Sequence, residues 1–327
     1  MIILDFSTNH FEALDPTIHW QKNILDFWQE WTQEKDHIVA RTSGSTGSPK
    51  EIKLPKSAMK MSARLTGKFF DLTPGKTALL CLPIEFIAGK MMLVRAIELR
   101  LKLICIEPKS HINADEIPSI DFAPMTPMQV EKSITALNKI QTLLIGGAPL
   151  SDPLRKVLLQ KNTHCFESYG MTETITHIAL KEISQTYFQT LDQIQIRKND
   201  SGCLVIKTPY FEEEIITNDL VDIPWNNQFK WLGRFDSVIN SGGIKLIPEQ
   251  IEQKLKPFIA QNFIISALTD ATLGEKLILI IEGKEQNIDI PENILSKFEV
   301  PKKIYFVDQF PTTVSGKLQR KEILKLL

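Results

Sequence analysis

Between residues 77 and 167, short apolar segments alternate with longer amphipathic ones, and this rhythm limits the folds the chain can adopt. The segments that read as strands are residues 77–82, 102–107, 142–145 and 164–167. The segments that read as helices are residues 88–99 and residues 152–160, with Ser151 as an N-cap. Alternating strands and helices form layered α/β domains with a mainly parallel sheet, in which ligands bind beyond the carboxyl ends of the strands. We therefore predict such a domain.

The pattern changes after Lys198, where shorter apolar segments are separated by Asn, Asp, Gly and Pro. The strand-like segments are residues 201–208, 214–217, 229–232, 263–268 and 277–282. The helix-like segments are residues 248–258 and 291–298. The predicted fold is therefore α/β. A layered large N-terminal domain, residues 1–235, has a mainly parallel sheet and a β-rich subdomain, and a small α+β C-terminal domain spans residues 236–327.

Composition excludes several classes of protein. At 327 residues, the chain is longer than a single core usually supports, which favours two domains. Its 38 basic and 39 acidic residues nearly cancel, so no basic surface for nucleic acid is expected. Four separated cysteines read as buried free thiols, residues 1–10 do not resemble a signal peptide, and no apolar run would span a bilayer. We expect a cytoplasmic protein with small-molecule partners and no membrane insertion.

Residues 42–50, T-S-G-S-T-G-S-P-K, are the strongest local signal. Closely spaced hydroxyls and glycines let backbone N–H and side-chain O–H groups converge on an anion, and a lysine adds a mobile positive charge. The segment is not a Walker A loop, because G-x-x-x-x-G-K-[ST] is absent. Taken alone, its composition also fits a flexible Ser/Gly loop.

The order of these residues resembles the phosphate-binding signature of the adenylate-forming superfamily, which includes acyl- and aryl-CoA ligases, luciferases and peptide-synthetase adenylation domains. Further motifs of that family follow in the family's order. They are G-G-A-P at residues 146–149, Y-G-M-T-E at residues 169–173, Asp219, G-R-F-D at residues 233–236 and residues 311–320. The resemblance covers most of the chain. It implies the family's fold and its chemistry, in which ATP activates a carboxylic acid as an acyl-adenylate.

The resemblance also implies individual roles. Tyr169 would stack on adenine, Thr172 would donate to the α-phosphate, and Glu173 would hold Mg²⁺, a cation that prefers oxygen ligands. Plainer readings are core packing for Tyr169, a helix-start charge for Glu173 and a turn at Asp219, the residue implied for the ribose. The full set implied for ATP or AMP is Thr42, Ser43, Gly44, Ser45, Thr46, Gly47, Lys50, Gly146, Gly147, Ala148, Ser168, Tyr169, Gly170, Met171, Asp219 and Arg234.

Lys317 is the residue that the resemblance implies for adenylate formation. A placed ammonium stabilises the charge that develops on the α-phosphate as pyrophosphate leaves, and no general base is needed because the attacking carboxylate is already ionised. A lone lysine is more commonly an exposed surface residue. Asp236 resembles the family's hinge residue, about which the small domain rotates between the two half-reactions. Gly242 and Gly243 are candidates for the CoA path, where absent side chains would let pantetheine pass.

The o-succinylbenzoate–CoA ligase branch of the family, which serves menaquinone biosynthesis, is the branch that this chain most resembles in residues 82–95, 125–129, 169–174 and 240–243. Arg95 lies in an otherwise apolar helix, and a buried arginine needs an anionic partner, which a second substrate carboxylate would supply. An internal ion pair with Glu98 or Glu85 is the alternative. Phe86, Lys90 and His177 are further candidates for contact with the acid. Phe86 stands where relatives often have histidine; its ring can shield the pocket but cannot form a hydrogen bond, so the resemblance carries over no role beyond packing at this position.

The function predicted from the sequence is an ATP-dependent acid–CoA ligase that uses ATP, Mg²⁺ and CoA. Three alternatives remain open: a ligase for another aryl or acyl acid, one that loads a carrier protein, and a nucleotide-binding relative that has lost catalysis. The phosphate-loop motif begins only about forty residues into the chain, so we expect an N-terminal region shorter than that of most relatives.

Overall fold

The computed structural model describes residues 1–41, 51–312 and 318–327. The chain divides into two compact units. Unit 1 comprises Met1–Gln195 and Lys207–Ile215, and unit 2 comprises Ile196–Ile206 and Ile216–Leu327. No helix within the described ranges is long and apolar enough to cross a membrane.

Unit 1 is an α/β layer structure. Its described strands are β1 (Ile2–Asp5), β2 (His10–Phe11), β3 (His37–Arg41), β4 (Glu51–Pro55), β5 (Thr77–Leu80), β6 (Lys102–Cys105), β7 (Ile120–Met125), β8 (Ile140–Ile145), β9 (His164–Gly170), β10 (His177–Glu182) and β11 (Phe188–Thr190). Its described helices are α1 (His19–Thr32), α2 (Lys56–Phe70), α3 (Ile87–Leu99), α4 (Pro127–Lys132) and α5 (Asp152–Leu158). Strands β3 and β4 form a separate two-stranded antiparallel sheet.

The main sheet of unit 1 has the strand order β11-β10-β9-β8-β7-β5-β6-β1-β2. The five central strands, from β6 to β9, are parallel, and the flanking pairs are antiparallel. Both faces of these strands are covered, which is why their sequences are almost continuously apolar. Because β5 lies between β6 and β7, the strand order reverses there. The crevice beyond the carboxyl ends of β5 and β7 is the point at which such sheets bind ligands.

Helices pack against this sheet with faces that the sequence makes apolar. Helix α3 is apolar nearly all round, and its residues 91–94 (M-M-L-V) are completely buried. On the other side of the sheet, Leu79, Ala123 and Leu143 belong to a continuous core that includes residues of α5. The predicted N-cap of α5 is confirmed, because Ser151 Oγ accepts a hydrogen bond from Leu154 N at 3.4 Å.

Unit 2 contains two groups of strands and two described helices. The first group, in sheet order, is β12 (Gln195–Lys198), β13 (Cys203–Lys207), β14 (Ile215–Trp225) and β15 (Gln228–Arg234). The second sheet contains β16 (Ile239–Ser241), β17 (Ile244–Leu246), β18 (Phe263–Asp270), β19 (Gly274–Glu282) and β20 (Lys303–Val307). The helices are α6 (Pro248–Leu255) and α7 (Arg320–Leu324), and the second sheet has an apolar core on each face.

The α/β fold class predicted from the sequence is confirmed, and most predicted elements lie within a few residues of the observed ones. The helix predicted at residues 291–298 is wrong, because this segment consists of turns. It is too short to form a stable helix without tertiary support, and Ser296 N instead donates to the Glu299 carboxylate at 2.8 Å. The predicted boundary between a domain of residues 1–235 and a domain of residues 236–327 stays a prediction.

Candidate active site

The predicted phosphate loop, residues 42–50, and the predicted catalytic residue Lys317 lie outside the described residues. The elements that flank them are described. Strands β3 and β4 pair so that Arg41 and Glu51, the described residues on either side of residues 42–50, lie opposite each other. In unit 2, a β-bridge joins Thr312 to Leu318, so the two ends of the second segment are also adjacent.

The predicted adenine loop, Gly146, Gly147 and Ala148, directly follows β8. A Cβ atom on Gly146 would lie 2.4 Å from Ser168 Oγ, so glycine is required here while that hydroxyl donates to Ile145 O at 3.1 Å. Gly147 has a φ of +91°, a backbone conformation that favours glycine. The structure therefore places these residues beside Ser168 on the neighbouring strand β9.

Strand β9 carries Tyr169 and Gly170 at the carboxyl edge of the parallel sheet. The half-buried Tyr169 ring packs against Phe188, with 6.0 Å between ring centroids. A Cβ on Gly170 would lie 2.4 Å from both His177 Cα and Thr176 O, because β9 and β10 pair closely at this point. Gly170 thus permits the close approach that places residues 176 and 177 beside the Y-G-M-T-E segment.

The residues that follow Gly170 form a short 3-10 turn, Thr172–Thr174, with Glu173 exposed. Thr174 Oγ1 accepts a hydrogen bond from Met171 N at 3.0 Å, which fixes the start of the turn. Among the described residues, no cluster of three or more His, Cys, Asp or Glu side chains exists that would bind a metal alone. A single exposed carboxylate fits Mg²⁺ bound to a nucleotide, because this ion usually takes one or two carboxylates together with phosphate oxygens and water.

Ile175 completes this segment in a strained backbone conformation, with φ 68° and ψ −56°. Thr176 N donates to Thr174 O at 2.8 Å, which closes a three-residue γ-turn around Ile175. Positive φ is rare for a β-branched residue, so the surrounding structure must hold it. Tyr210 Oη also donates to Thr174 O, at 3.1 Å.

Arg95 is enclosed within unit 1, with only 2% of its surface exposed. Among the described residues, its one hydrogen bond runs from Nη2 to Thr176 Oγ1 at 3.0 Å, and its Nε has no partner. Neither acid considered from the sequence pairs with it. Glu98 binds Arg64, and Glu85 accepts a hydrogen bond from Asn23. Burial lowers the pKa of Arg95 to about 10, so the guanidinium remains charged at neutral pH.

His177 lies beside Arg95 and is also buried. Its Nε2 is 3.1 Å from Thr66 Oγ1, and its Nδ1 is 3.3 Å from Thr176 Oγ1. Burial, together with the nearby positive charge of Arg95, holds the pKa of His177 well below its usual 6.5. The imidazole is therefore neutral. The structure thus brings together two of the four residues predicted to contact the acid.

Phe86 and Lys90 lie elsewhere on α3. Phe86 is the N-cap residue and is 44% exposed. The Lys90 ammonium lies 4.4 Å from the centroid of the Phe27 ring on α1, and burial lowers its pKa against the opposing charges of Glu30 and Glu85. Within the described part of the chain, no hydrogen bond or ion pair joins Phe86 or Lys90 to Arg95 or His177. Contact of Phe86 or Lys90 with the acid therefore stays a prediction.

In unit 2, the predicted ribose residue Asp219 and the predicted AMP residue Arg234 lie opposite each other on β14 and β15. Asp219 Oδ1 is 3.5 Å from Arg234 Nη1 and accepts a hydrogen bond from Trp231 Nε1 at 3.1 Å. Arg234 also pairs with Asp236, the predicted hinge residue, at 3.2 Å. The three predicted residues therefore form one charged cluster, with Asp236 in a 3-10 turn that directly follows β15.

Gly242 and Gly243 connect β16 to β17 in a two-residue turn. Their φ values are +60° and +81°, as a tight hairpin turn of this type requires. Turn geometry alone therefore explains both glycines, and their predicted place on the CoA path stays a prediction.

Sequence reasoning missed three residues of the segment and contacts around Arg95 and His177, namely Thr66, Ile175 and Thr176. The hydroxyls of Thr66 and Thr176 both contact His177, and Ile175 forms the strained turn. Thr176 directly precedes His177, which is a weak signal. Thr66 lies on a helix distant in sequence, and no pattern marks it.

Comparison with known proteins identifies the family. The model of a family described as "AMP-binding enzyme" matches residues 9–201, more than half of the chain. A 2-succinylbenzoate–CoA ligase from Bacillus cytotoxicus is 25% identical over 355 residues, which cover 94% of this chain and 73% of that protein. One from Bacillus cereus is 26% identical over 358 residues, with the same coverage.

Solved structures agree with the family match. An AMP-forming acyl-CoA synthetase/AMP-acid ligase II-like protein from Dyadobacter fermentans is 33% identical, with a TM-score of 0.66 and 99% of each chain covered. An o-succinylbenzoate–CoA synthetase from Bacillus subtilis, in complex with ATP and a magnesium ion, has a TM-score of 0.74 at 20% identity, over 88% of this chain and 69% of that one, and supports the fold alone. The fold, the ordered motifs and the family match together show that this chain belongs to the AMP-binding enzyme family of adenylate-forming ligases.

Proposed function

We propose that this AMP-forming acid–thiol ligase activates o-succinylbenzoate. In the first half-reaction, a substrate carboxylate would attack the α-phosphorus of ATP, giving the acyl-adenylate and diphosphate. In the second, the thiol of CoA would attack the acyl carbon, giving o-succinylbenzoyl-CoA and AMP. The second carboxylate of this acid would remain unchanged through both steps and is available for binding.

The observation that carries the proposal is the unpaired charge of Arg95. A buried guanidinium without a carboxylate partner is unfavourable unless an anion completes it. The only hydrogen bond of Arg95 within the described ranges goes to a neutral hydroxyl, and its Nε is free of protein partners. A dicarboxylic acid supplies the missing anion while its other carboxylate reacts. The names of the curated relatives support the same substrate.

The remaining site residues have assigned roles in this proposal. Tyr169 would stack on adenine, and Asp219 would accept hydrogen bonds from the ribose. Glu173 would hold Mg²⁺, which neutralises phosphate charge when bound. Thr172 would donate to the α-phosphate, and Lys317 would supply the ammonium for adenylation. These roles rest on the family's motifs and the exposure of Glu173.

The test compares two acids with Arg95→Ala. Removing one partner from a buried charge pair typically costs about 3–5 kcal/mol, which corresponds to roughly 10²- to 10⁴-fold in KM or in kcat/KM. Acid-dependent exchange of pyrophosphate into ATP should fall by that factor with o-succinylbenzoate and change little with a monocarboxylic aryl acid. Arg95→Lys, which keeps the charge without the planar fork, should lose less.

The matched control is Arg64→Ala, which removes a surface arginine of unit 1 paired with Glu98 on α3. Acid-dependent exchange of pyrophosphate should be unchanged with both acids in this variant, since a surface ion pair contributes little to stability. Equal loss on both acids with Arg95→Ala, or no loss on either, would exclude the diacid assignment. Absence of acid-dependent exchange in the unmodified protein, with ATP still bound, would instead indicate a nucleotide-binding relative without catalysis.

A further inference from the structure

Hydrogen bonds connect Thr66, His177, Thr176 and Arg95 in one row. Thr66 Oγ1 donates to Ser62 O at 3.1 Å, and we assign the His177 proton to Nε2, with Thr66 Oγ1 as its acceptor at 3.1 Å, because both hydroxyls and both ring nitrogens of the network then have a partner. A neutral imidazole that carries its proton on Nε2 has an acceptor at Nδ1. Thr176 Oγ1 therefore donates to Nδ1, and its lone pairs face the Nη2–H of Arg95. The hydroxyls of Thr66 and Thr176 each donate one hydrogen bond and accept one in this assignment.

This arrangement engages both ring nitrogens of His177 with protein hydroxyls. The imidazole is held neutral by burial and by the charge of Arg95, which excludes a second buried cation beside the guanidinium. His177 therefore has no ring nitrogen left for a substrate carboxylate. Its contribution is to orient the Thr176 hydroxyl.

The strained turn at Ile175 fixes the other side of the same hydroxyl. The γ-turn sets the direction of the chain into Thr176, and two donors, Thr176 N and Tyr210 Oη, converge on Thr174 O. Ile175 is completely buried, so packing holds a conformation that an isolated chain would avoid. Strain retained in this way is typical of positions where geometry matters for function.

We infer that Ile175, Thr176 and His177 form a positioning device for Arg95, with Thr66 on α2 as its remote anchor. The inference rests on the proposed function of Arg95. The device would keep Arg95 Nη2 hydrogen-bonded to Thr176 Oγ1 and would leave Arg95 Nε to bind the second carboxylate of the acid. Preference for a diacid would then depend on Thr66, a residue that, within the described ranges, has no hydrogen bond to Arg95.

The test uses Thr66→Val, which removes the anchor hydroxyl at nearly constant volume. His177 then loses the acceptor that fixes its tautomer, and the Thr176 hydroxyl is free to turn. We expect KM for o-succinylbenzoate to rise roughly threefold to tenfold, the effect of one lost hydrogen bond, with kcat nearly unchanged. KM for a monocarboxylic aryl acid should stay the same. Thr66→Ser, which restores a hydroxyl, should recover most of the diacid KM.

The matched control is Thr163→Val, another buried threonine of unit 1 whose hydroxyl donates to a backbone carbonyl, Leu137 O at 2.7 Å. It should leave the ratio of the two KM values unchanged. Denaturant unfolding of each variant separates a folding defect from a change in selectivity.

Two outcomes distinguish this inference from the proposed function. If Arg95→Ala abolishes the preference for the diacid while Thr66→Val raises KM for both acids equally, or for neither acid, the positioning device is refuted and the proposed function stands. If Arg95→Ala shows no selective effect, the substrate assignment fails and the positioning inference fails with it. A KM for the diacid that Thr66→Ser does not restore would also contradict the inference.

Discussion

Gly146 offers a sharp test of the site geometry, because a single side-chain atom excludes a larger residue there. In Gly146→Ala, the new Cβ would lie 2.4 Å from Ser168 Oγ, whereas the next nearest atom, Ser168 Cβ, is 3.8 Å away. The second distance is ordinary van der Waals contact. Removing the hydroxyl with Ser168→Ala should therefore make room for alanine at position 146.

The expected loss in the free energy of unfolding of Gly146→Ala follows from two limiting cases. If Ser168 cannot move, overpacking by one methyl group destabilises unit 1 by about 1–3 kcal/mol. If Ser168 rotates, its hydrogen bond to Ile145 O is lost, at about 0.5–1.5 kcal/mol. Ser168→Ala alone loses the same hydrogen bond. The double variant should therefore be no less stable than Ser168→Ala, and the coupling energy should equal most of the cost of Gly146→Ala.

Denaturant unfolding of the four proteins, followed by a probe of unit 1, measures this coupling. Stability is the readout because Gly146 is also a proposed nucleotide contact, and activity would mix the two effects. Additive destabilisation, with the double variant clearly less stable than Ser168→Ala, would show that β8 and β9 are not as close at this point as the structure has them.

Two further predictions concern the neighbouring strand β10. In Gly170→Ala, the Cβ would lie 2.4 Å from backbone atoms of residues 176 and 177, so no side-chain truncation should rescue this variant. The free energy of unfolding should fall, and KM for the diacid should rise. Rescue by any truncation in β10 would contradict this geometry. The pKa of His177 is held well below 6.5, so below that pH the unfolded chain binds more protons than the folded one, and stability falls by up to about 1.4 kcal/mol per pH unit. Unfolding at pH 5 and pH 7 should show a smaller loss for His177→Gln than for the unmodified protein, and identical losses would mean that His177 is protonated when folded.

The sequence predicts an element well where local pattern and packing agree. Helix α3 is predicted to within one residue, since its apolar run is continuous and its partners cover it on all sides. Strand β7 is absent from the sequence prediction, and it contains Asp121 and Pro124, two residue types that are depleted in strands. In the fold, the Asp121 carboxylate accepts hydrogen bonds from Thr77 N and Oγ1 at 2.7 Å, so tertiary contacts with the neighbouring strand outweigh local preference.

The candidate site divides in the same way. Gly146 and Gly170 are recognisable because they stand in motifs of the family, and Arg95 is recognisable because a charge in an apolar helix conflicts with its surroundings. Thr66 and Thr176 carry no such mark. A buried hydroxyl acquires meaning only from the direction of the hydrogen bonds around it, which depends on residues up to 111 positions apart.

The path of the chain between the two units has a practical consequence for work with fragments. The chain passes from one unit to the other at residues 195/196, 206/207 and 215/216, which makes three crossings. Neither unit is a single continuous stretch of sequence, so no single proteolytic cut releases an intact unit. An expression fragment that begins at residue 216 would omit Ile196–Ile206, including the part of β13 whose Leu204 O accepts a hydrogen bond from Thr217 Oγ1 at 2.8 Å. A soluble fragment of unit 2 would need that strand supplied as a fused peptide or added in trans.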